Sequence, residues 1–160
     1  MDSRRRSPRG GGQREEREFD QEIIDISRVT RVVAGGKRMR FRACVVIGDR
    51  KGRVGYAIAK GADVSLAVNK AVTAAKKRLT VIPIYHATIP HQTQYKFGAA
   101  KVFLKPAPAG TGVIAGGPVR AVIELSGIQN IVTKMQGSRN KLNNVKATFL
   151  ALTSLRKREG

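Results

Sequence analysis

Residues 37–47 read Lys-Arg-Met-Arg-Phe-Arg-Ala-Cys-Val-Val-Ile, and this alternation of basic and apolar side chains decides the fold of the chain. A β-strand turns successive side chains to opposite faces, so Arg38, Arg40 and Arg42 share one face of the predicted strand. The apolar phase comprises Met39, Phe41, Ala43, Val45 and Ile47. We expect the apolar face to anchor a core. The arginine face needs a polyanion, because nearby like charges repel one another until something neutralises them.

The composition of the whole chain also favours a polyanionic partner. Its 160 residues include 31 Lys or Arg and 11 Asp or Glu, a formal net charge of +20, and 41% of them are hydrophobic. This balance points to nucleic acid or an anionic surface. No apolar run approaches the ~20 residues of a membrane span, so we expect no membrane partner. The single cysteine, Cys44, rules out disulfides within the chain and fits a reducing, cytoplasmic location.

The N-terminal part predicts a tail followed by a small domain. Residues 1–21 mix Arg, Ser, Gln and Glu with three consecutive glycines and predict a disordered basic tail, which is either solvated or an arm that orders on RNA. Residues 22–82 predict a domain with the order β-β-β-α. The predicted strands span residues 23–33, 37–47 and 53–60. A change of apolar phase along the first strand predicts a bulge or a bend near Ser27.

The predicted helix of this domain begins at Asp63, a suitable N-cap, and ends at Leu79. Its apolar residues recur at the i, i+3, i+4, i+7 spacing of an amphipathic helix. We expect this helix to cover the apolar face of the three strands and to leave their opposite face to solvent or a ligand.

A second domain is predicted over residues 83–156, followed by a basic tail at 157–160. Its predicted strands span residues 88–97, 100–105 and 128–135, and its helices span 118–126 and 143–155. Pro118 suits the first position of a helix, and Gly127 suits a left-handed C-terminal cap. The glycine-rich stretch between the second strand and the first helix predicts a loop.

The basic residues of the first domain are the predicted RNA-binding site. Within residues 28–53 only Asp49 is acidic, whereas a solvated face normally mixes both signs. Arginine suits phosphate because its planar fork binds two oxygens at once. The predicted RNA-binding residues are Arg28, Arg31, Lys37, Arg38, Arg40, Arg42, Arg50, Lys51, Arg53 and Lys60.

Other chemistries find little support. Gly110–Ala115 matches G-x-G-x-x-A, but no acidic residue follows at the distance that a dinucleotide fold requires. With His86 and His91 as the only histidines, we predict no metal site, no cofactor and no catalytic residue. Cys44 is expected to pack in the core. The three aromatic rings near lysines are Tyr95, Phe97 and Phe103. They predict either a base-stacking platform or part of the core.

Five segments together resemble the bacterial small-subunit ribosomal protein S5 family. They are Ile26–Val29, Gly35–Gly36, Val46–Asp49, Gly52–Tyr56 and Gly110–Val122. The last segment is the most specific, and the resemblance covers residues 23–152. It implies an α+β fold in which a β-β-β-α double-stranded-RNA-binding-like domain packs against a β-β-α-β-α domain. That second domain would contain a left-handed βαβ crossover.

The resemblance further implies a non-catalytic role in the small ribosomal subunit. The family binds 16S ribosomal RNA where head and body meet, touches small-subunit proteins four and eight, lies beside the messenger RNA channel and supports translational accuracy. Val29, Thr30 and Arg31 match the family's loop near the neck RNA, where spectinomycin binds. Gly112 and Arg120 match positions at the contact with protein four.

Two rival hypotheses stay open at this level. The second domain resembles the protein of ribonuclease P, which would make the chain part of an RNA-processing enzyme. That family's arginine-rich helix signature is not found after Gly137. Alternatively, the chain is a free RNA chaperone. The chain also departs from double-stranded-RNA-binding domains, because its first helix is missing and Gly61-Ala62-Asp63 stands where their RNA-gripping lysines lie.

Overall fold

The computed structural model describes residues 18–157 and begins with an antiparallel sheet. The elements of this first unit are β1 (Asp20–Val33), β2 (Gly36–Gly48), β3 (Arg53–Gly61), α1 (Val64–Lys76) and β4 (Thr80–Val81). The strands follow the order β1-β2-β3-β4. The tails were predicted at residues 1–21 and 157–160, of which residues 1–17 and 158–160 lie outside the described residues. Asp20 and Gln21 belong to β1 rather than to a tail, because they pair with Gly48 and Ile47.

The second unit combines a four-stranded sheet with two helices. Its elements are β5 (Thr93–Phe97), β6 (Ala100–Pro106), β7 (Val113–Ile114), α2 (Gly117–Ser126), β8 (Ile131–Gln136) and α3 (Lys141–Thr153). The strand order is β5-β6-β8-β7, and β7 runs parallel to β8 while the other pairs are antiparallel. The predicted α+β class with two sheet-and-helix units is therefore confirmed. The left-handed crossover, which would lie in β7-α2-β8, stays a prediction.

The bulge in β1 lies at Ile24, so its predicted position near Ser27 is wrong. The register shifts between Ile23 and Asp25, which leaves Ile24 without a partner in β2. The apolar phase change that suggested Ser27 came from Val29 and Val33. These two residues pair with Arg40 and Gly36, which lie beyond the part of β2 that pairs with β3. An apolar side chain there does not mark the core face.

Helix α1 packs on the first sheet through its small residues. The Oδ1 of Asp63 accepts a hydrogen bond from the Val64 amide at 2.7 Å, which confirms the predicted N-cap. Ala67, Ala71 and Ala75 are fully buried against the sheet, because a methyl side chain lets the helix approach closely. The helix ends at Lys76 rather than Leu79, because the chain turns there to form β4 beside β3.

The face of the first sheet opposite α1 was predicted to be left to solvent or a ligand. This prediction is wrong for residues 43–48 of β2, which are all buried. Cys44 and Val46 are buried, and Val46 shares a core with Val102 and Val122 of the second unit. Both faces of residues 43–48 are therefore covered. Burial, followed by the negative charge of Asp25, raises the pKa of the Cys44 thiol to about 11. Cys44 packs in the core, as predicted.

The two units are joined by backbone contacts as well as by the shared core. The Arg50 amide donates to the carbonyl of Leu125 at 3.0 Å, and the Gly52 amide donates to that of Ser126 at 2.9 Å. The β2–β3 loop thus satisfies carbonyls at the C-terminal end of α2, which a helix leaves without internal partners. Gly127 ends α2 at φ 89°, which confirms the predicted left-handed cap.

Several predicted boundaries in the second unit are wrong for local reasons. Strand β5 begins at Thr93 rather than at residue 88, because Tyr85 and Thr88 exchange backbone hydrogen bonds in a tight turn. Strand β8 begins at Ile131, because the amides of residues 129–130 donate to the Ala87 carbonyl instead. A two-residue strand, β7, interrupts the predicted glycine-rich loop. Within residues 18–157, no helix has the length and apolar character to cross a bilayer.

Candidate nucleic-acid interface

The hairpin of β1 and β2 extends beyond the rest of its sheet. Pairing between β2 and β3 begins only at Phe41, so residues 36–40 pair with β1 alone. At ~3.3 Å per residue, this two-stranded ribbon projects roughly 17 Å. Residues 31–40 are all exposed, so neither face of the ribbon tip is covered. Val32 is 76% exposed and Met39 is 55% exposed. Met39 therefore does not belong to the core, contrary to the sequence prediction.

One face of the ribbon carries a row of arginines, which it shares with the uncharged side chains of Ser27, Val29 and Val33. Arg31 lies directly opposite Arg38, and Arg42 lies opposite both Ser27 on β1 and Lys60 on β3. We call the set Arg31, Arg38, Arg40, Arg42 and Lys60 the ribbon face. No acidic residue occurs between residues 27 and 42. The alternation in the sequence thus places its arginines in one row, as predicted.

The ribbon face borders a groove of about 300 Å³. The residues lining it are Val29, Thr30, Arg31, Arg38, Arg40 and Lys60. Like charges directly opposite one another on a sheet are destabilising, so the pair Arg31 and Arg38 favours an anion between or beside its guanidinium groups. Arg42 is half-buried, and its Nε donates to the Oγ of Ser27 at 3.1 Å. This hydrogen bond orients the innermost cation of the row.

The other predicted RNA-binding residues do not join this row. Arg28 and Lys37 lie on the opposite face of the ribbon, by the alternation of their strands. Arg50, Lys51 and Arg53 lie at the far end of β2, roughly 40 Å from the ribbon tip at ~3.3 Å per residue. Arg50 pairs with Asp20 at 2.8 Å there.

The β2–β3 loop differs from the ribbon face because it contains a carboxylate, that of Asp49. Its carboxylate accepts hydrogen bonds from the Lys51 and Arg53 amides and pairs with the Arg53 guanidinium at 2.6 Å. Burial would raise the pKa of the Asp49 carboxyl, but these hydrogen bonds together outweigh it and hold that pKa below its ordinary value. The β2–β3 loop is therefore tied together by its own carboxylate, whereas the ribbon face has none.

A second cluster forms around β7 and contains both predicted protein-contact residues. The Nη2 of Arg120 donates to the Val113 carbonyl at 2.8 Å, and its Nε pairs with Glu124 at 3.3 Å. Gly112 takes a left-handed φ of 75°, and its amide donates to the Oδ1 of Asn130 at 3.1 Å. The Gly110 amide donates to the same oxygen atom.

Sequence reasoning missed Asn130, which holds the glycine loop in place. The only signal was a pair of polar residues, Gln129 and Asn130, between Ile128 and Ile131, and Asn130 is buried. Two of the predicted aromatic residues lie on opposite faces of the second sheet. Phe97 packs against the core, whereas Phe103 lies on the other face. Within the described part of the chain, no three His, Cys, Asp or Glu side chains converge on a metal-sized site.

Comparison with known proteins supports the resemblance seen in the sequence. A family model described as "Ribosomal protein S5, N-terminal domain" matches residues 19–83, and one described as "Ribosomal protein S5, C-terminal domain" matches residues 95–159. The small ribosomal subunit protein uS5 of Syntrophobacter fumaroxidans is 53% identical over 134 residues, which cover 84% of this chain and 81% of that protein.

A plant relative gives the same result over a longer alignment. The small ribosomal subunit protein uS5c of Spinacia oleracea is 44% identical over 162 residues, which cover 98% of this chain but only 53% of that protein. The chain thus spans about half the length of this relative. Together these matches confirm the predicted family, the non-catalytic role and the location in the small ribosomal subunit. The chain belongs to the ribosomal protein S5 family, whose members are structural, non-enzymatic proteins of the small ribosomal subunit.

Proposed function

We propose that the chain binds 16S ribosomal RNA at the junction of head and body of the small subunit, chiefly through the ribbon face. The observation that carries this proposal is a row of five cations on one face, with no acidic residue between residues 27 and 42. Guanidinium groups bind phosphate oxygens bidentately and stay charged at all physiological pH values. The row therefore suits the backbone of folded RNA rather than a particular base sequence.

The exposed ribbon also favours docking onto a large partner. A two-stranded ribbon is at best marginally stable by itself in water, and here both of its faces are uncovered. RNA packed against the ribbon face would neutralise the arginines and order the ribbon at the same time. Val29, Thr30 and Arg31, which line the groove, are then the residues beside the neck RNA. Arg28, Lys37 and Lys51 would reach RNA on other sides.

The cluster around β7 is the proposed contact with small-subunit protein four. Arg120 fixes a backbone carbonyl of β7, and Asn130 fixes the loop that contains Gly112. A loop held by side-chain hydrogen bonds presents one surface to a partner at little further cost in conformational entropy. Through this contact, and a further contact with protein eight, the chain would support translational accuracy beside the messenger RNA channel.

The salt dependence of RNA binding tests the role of the ribbon face. Five neutralised phosphates predict a slope of log affinity against log salt of about −4.5, or roughly a 500-fold loss between 50 and 200 mM. We expect Arg38→Ala/Arg40→Ala to make this slope shallower by about 2, because each removed cation contributes about 1. Filter binding of the full chain to protein-free 16S ribosomal RNA measures both slopes. Lys70→Ala/Lys76→Ala is the control, since these exposed lysines lie on α1. Equal slopes for both variants would contradict the proposal.

The accuracy role is tested by Arg120→Ala. This change releases the Val113 carbonyl and the Glu124 carboxylate, so we expect the error frequency in a misreading reporter to change. The affinity for 16S ribosomal RNA should stay within about twofold, because a surface substitution away from the RNA site alters binding little. Glu124→Gln is the matched variant, because it removes only the ion pair and keeps the hydrogen bond to Val113. An unchanged error frequency in Arg120→Ala cells would exclude the interface role.

A further inference from the structure

The second sheet carries a basic surface of its own. Strand alternation places Lys96, Lys101, Lys105 and Lys134 on the face that points away from the buried residues of β6, and all four are exposed. None of the strands β5 to β8 contains an acidic residue. We call these four lysines together with Phe103 the lysine face.

Three lysines of this face are neighbours of Phe103 on the sheet. Lys101 and Lys105 flank Phe103 along β6, at about two residues' rise or ~7 Å. Across the sheet, Phe103 lies directly opposite Lys134 on β8 and opposite Gln94 on β5. Neighbouring strands are separated by ~4.8 Å, so three of the four nearest same-face neighbours of half-buried Phe103 are lysines.

These lysines have no partner within the described structure. Among residues 18–157, no carboxylate lies within ion-pair distance of any of the four. Lys96 lies directly opposite Lys101, and a like-charged pair in that position is destabilising. A polyanion would remove this cost. A hollow of about 260 Å³, lined by Gln94, Tyr95, Lys96 and Lys101, adjoins the pair.

We propose that the lysine face is a second RNA-binding surface, which takes single-stranded RNA with its phosphates on the lysines and a base stacked on Phe103. An aromatic ring at the centre of an open, basic sheet is the arrangement on which unpaired bases stack. A purely electrostatic site for an acidic peptide would not need the ring. The inference rests on the chain being an RNA-binding protein, but not on the ribbon face.

Binding of a fluorescent 12-nucleotide oligouridine to the full chain tests this inference by anisotropy. We expect Lys101→Glu/Lys134→Glu to weaken binding by at least tenfold and to make the salt slope shallower by about 2. Phe103→Leu should weaken it roughly fivefold or more, the lower end of what one lost base stack costs. The control is Lys70→Glu/Lys77→Glu, which changes the net charge equally on exposed positions of the first unit. Circular dichroism checks that each variant is folded.

Crosslinking of the unaltered chain gives a second readout that does not depend on a variant. Oligouridine containing 4-thiouridine should crosslink to the peptide of residues 102–105, detected by mass spectrometry. The inference is overturned if the face variant binds oligouridine no worse than the control. It is also overturned if a polyglutamate peptide, and not oligouridine, responds to the face variant. Because the ribbon face is tested separately by Arg38→Ala/Arg40→Ala on 16S ribosomal RNA, failure of one proposal is distinguishable from failure of the other.

Discussion

Replacing Arg31, Arg38 and Arg40 together by glutamate is expected to keep the chain out of small ribosomal subunits. A hydrogen bond to a charged group contributes about 1.5–3 kcal/mol, so three lost phosphate contacts weaken RNA binding about a thousandfold or more. Reversed charges add repulsion from the RNA backbone. Sucrose-gradient fractionation of cells expressing the tagged variant measures incorporation, and we expect the variant in the free fractions only.

The fold of this variant should survive, because all three arginines are exposed and lie outside the core. The matched control is Lys70→Glu/Lys76→Glu/Lys77→Glu, which changes the net charge equally on exposed residues at α1. The control should sediment with small subunits. If the unaltered chain itself is found only in free fractions, the hypothesis of a free RNA chaperone replaces the structural role.

Gly127→Ala is expected to destabilise the whole molecule. A Cβ at Gly127 would overlap the backbone carbonyl of Arg50, and φ there is 89°. A left-handed backbone costs a non-glycine residue about 1–2 kcal/mol. Overpacking adds about 1–3 kcal/mol. We therefore expect the free energy of unfolding to fall by roughly 2–5 kcal/mol, a large share of the ~5–15 kcal/mol of a typical domain.

Urea denaturation of the full chain measures this loss, and Gly35→Ala is the control. A Cβ at Gly35 meets nothing within 4 Å, so its replacement should stay within about 0.5 kcal/mol. Since Arg50 and Gly127 belong to different units, both units should lose stability in a single transition. Two separate transitions, with only the second unit affected, would contradict the close contact between the units.

The strand at residues 37–47 shows what local pattern predicts well. Alternation alone assigned Arg38, Arg40 and Arg42 to one face, because the two-residue period of a strand follows from backbone geometry. The caps at Asp63 and Gly127 were predicted correctly for a similar reason, since helix ends need particular side chains or backbone angles close by in sequence.

Contacts between distant segments could not be predicted in the same way. The arginine phase of β2 continues into Cys44 and Val46, and only the position of the second unit shows that these two are covered. Asn130 accepts hydrogen bonds from glycine amides 18 and 20 residues away. No periodic sequence pattern indicates a contact over that separation. The lysine face also needs β8 beside β6, although β7 comes between them in sequence.

A cryo-electron-microscopy map of a small ribosomal subunit that contains this chain tests the central claim most directly. The account predicts phosphate oxygens of 16S ribosomal RNA at about 2.7–2.9 Å from the guanidinium nitrogens of Arg31, Arg38 and Arg40. A map in which the ribbon face points into solvent or packs against protein, with no RNA backbone beside it, would contradict the account.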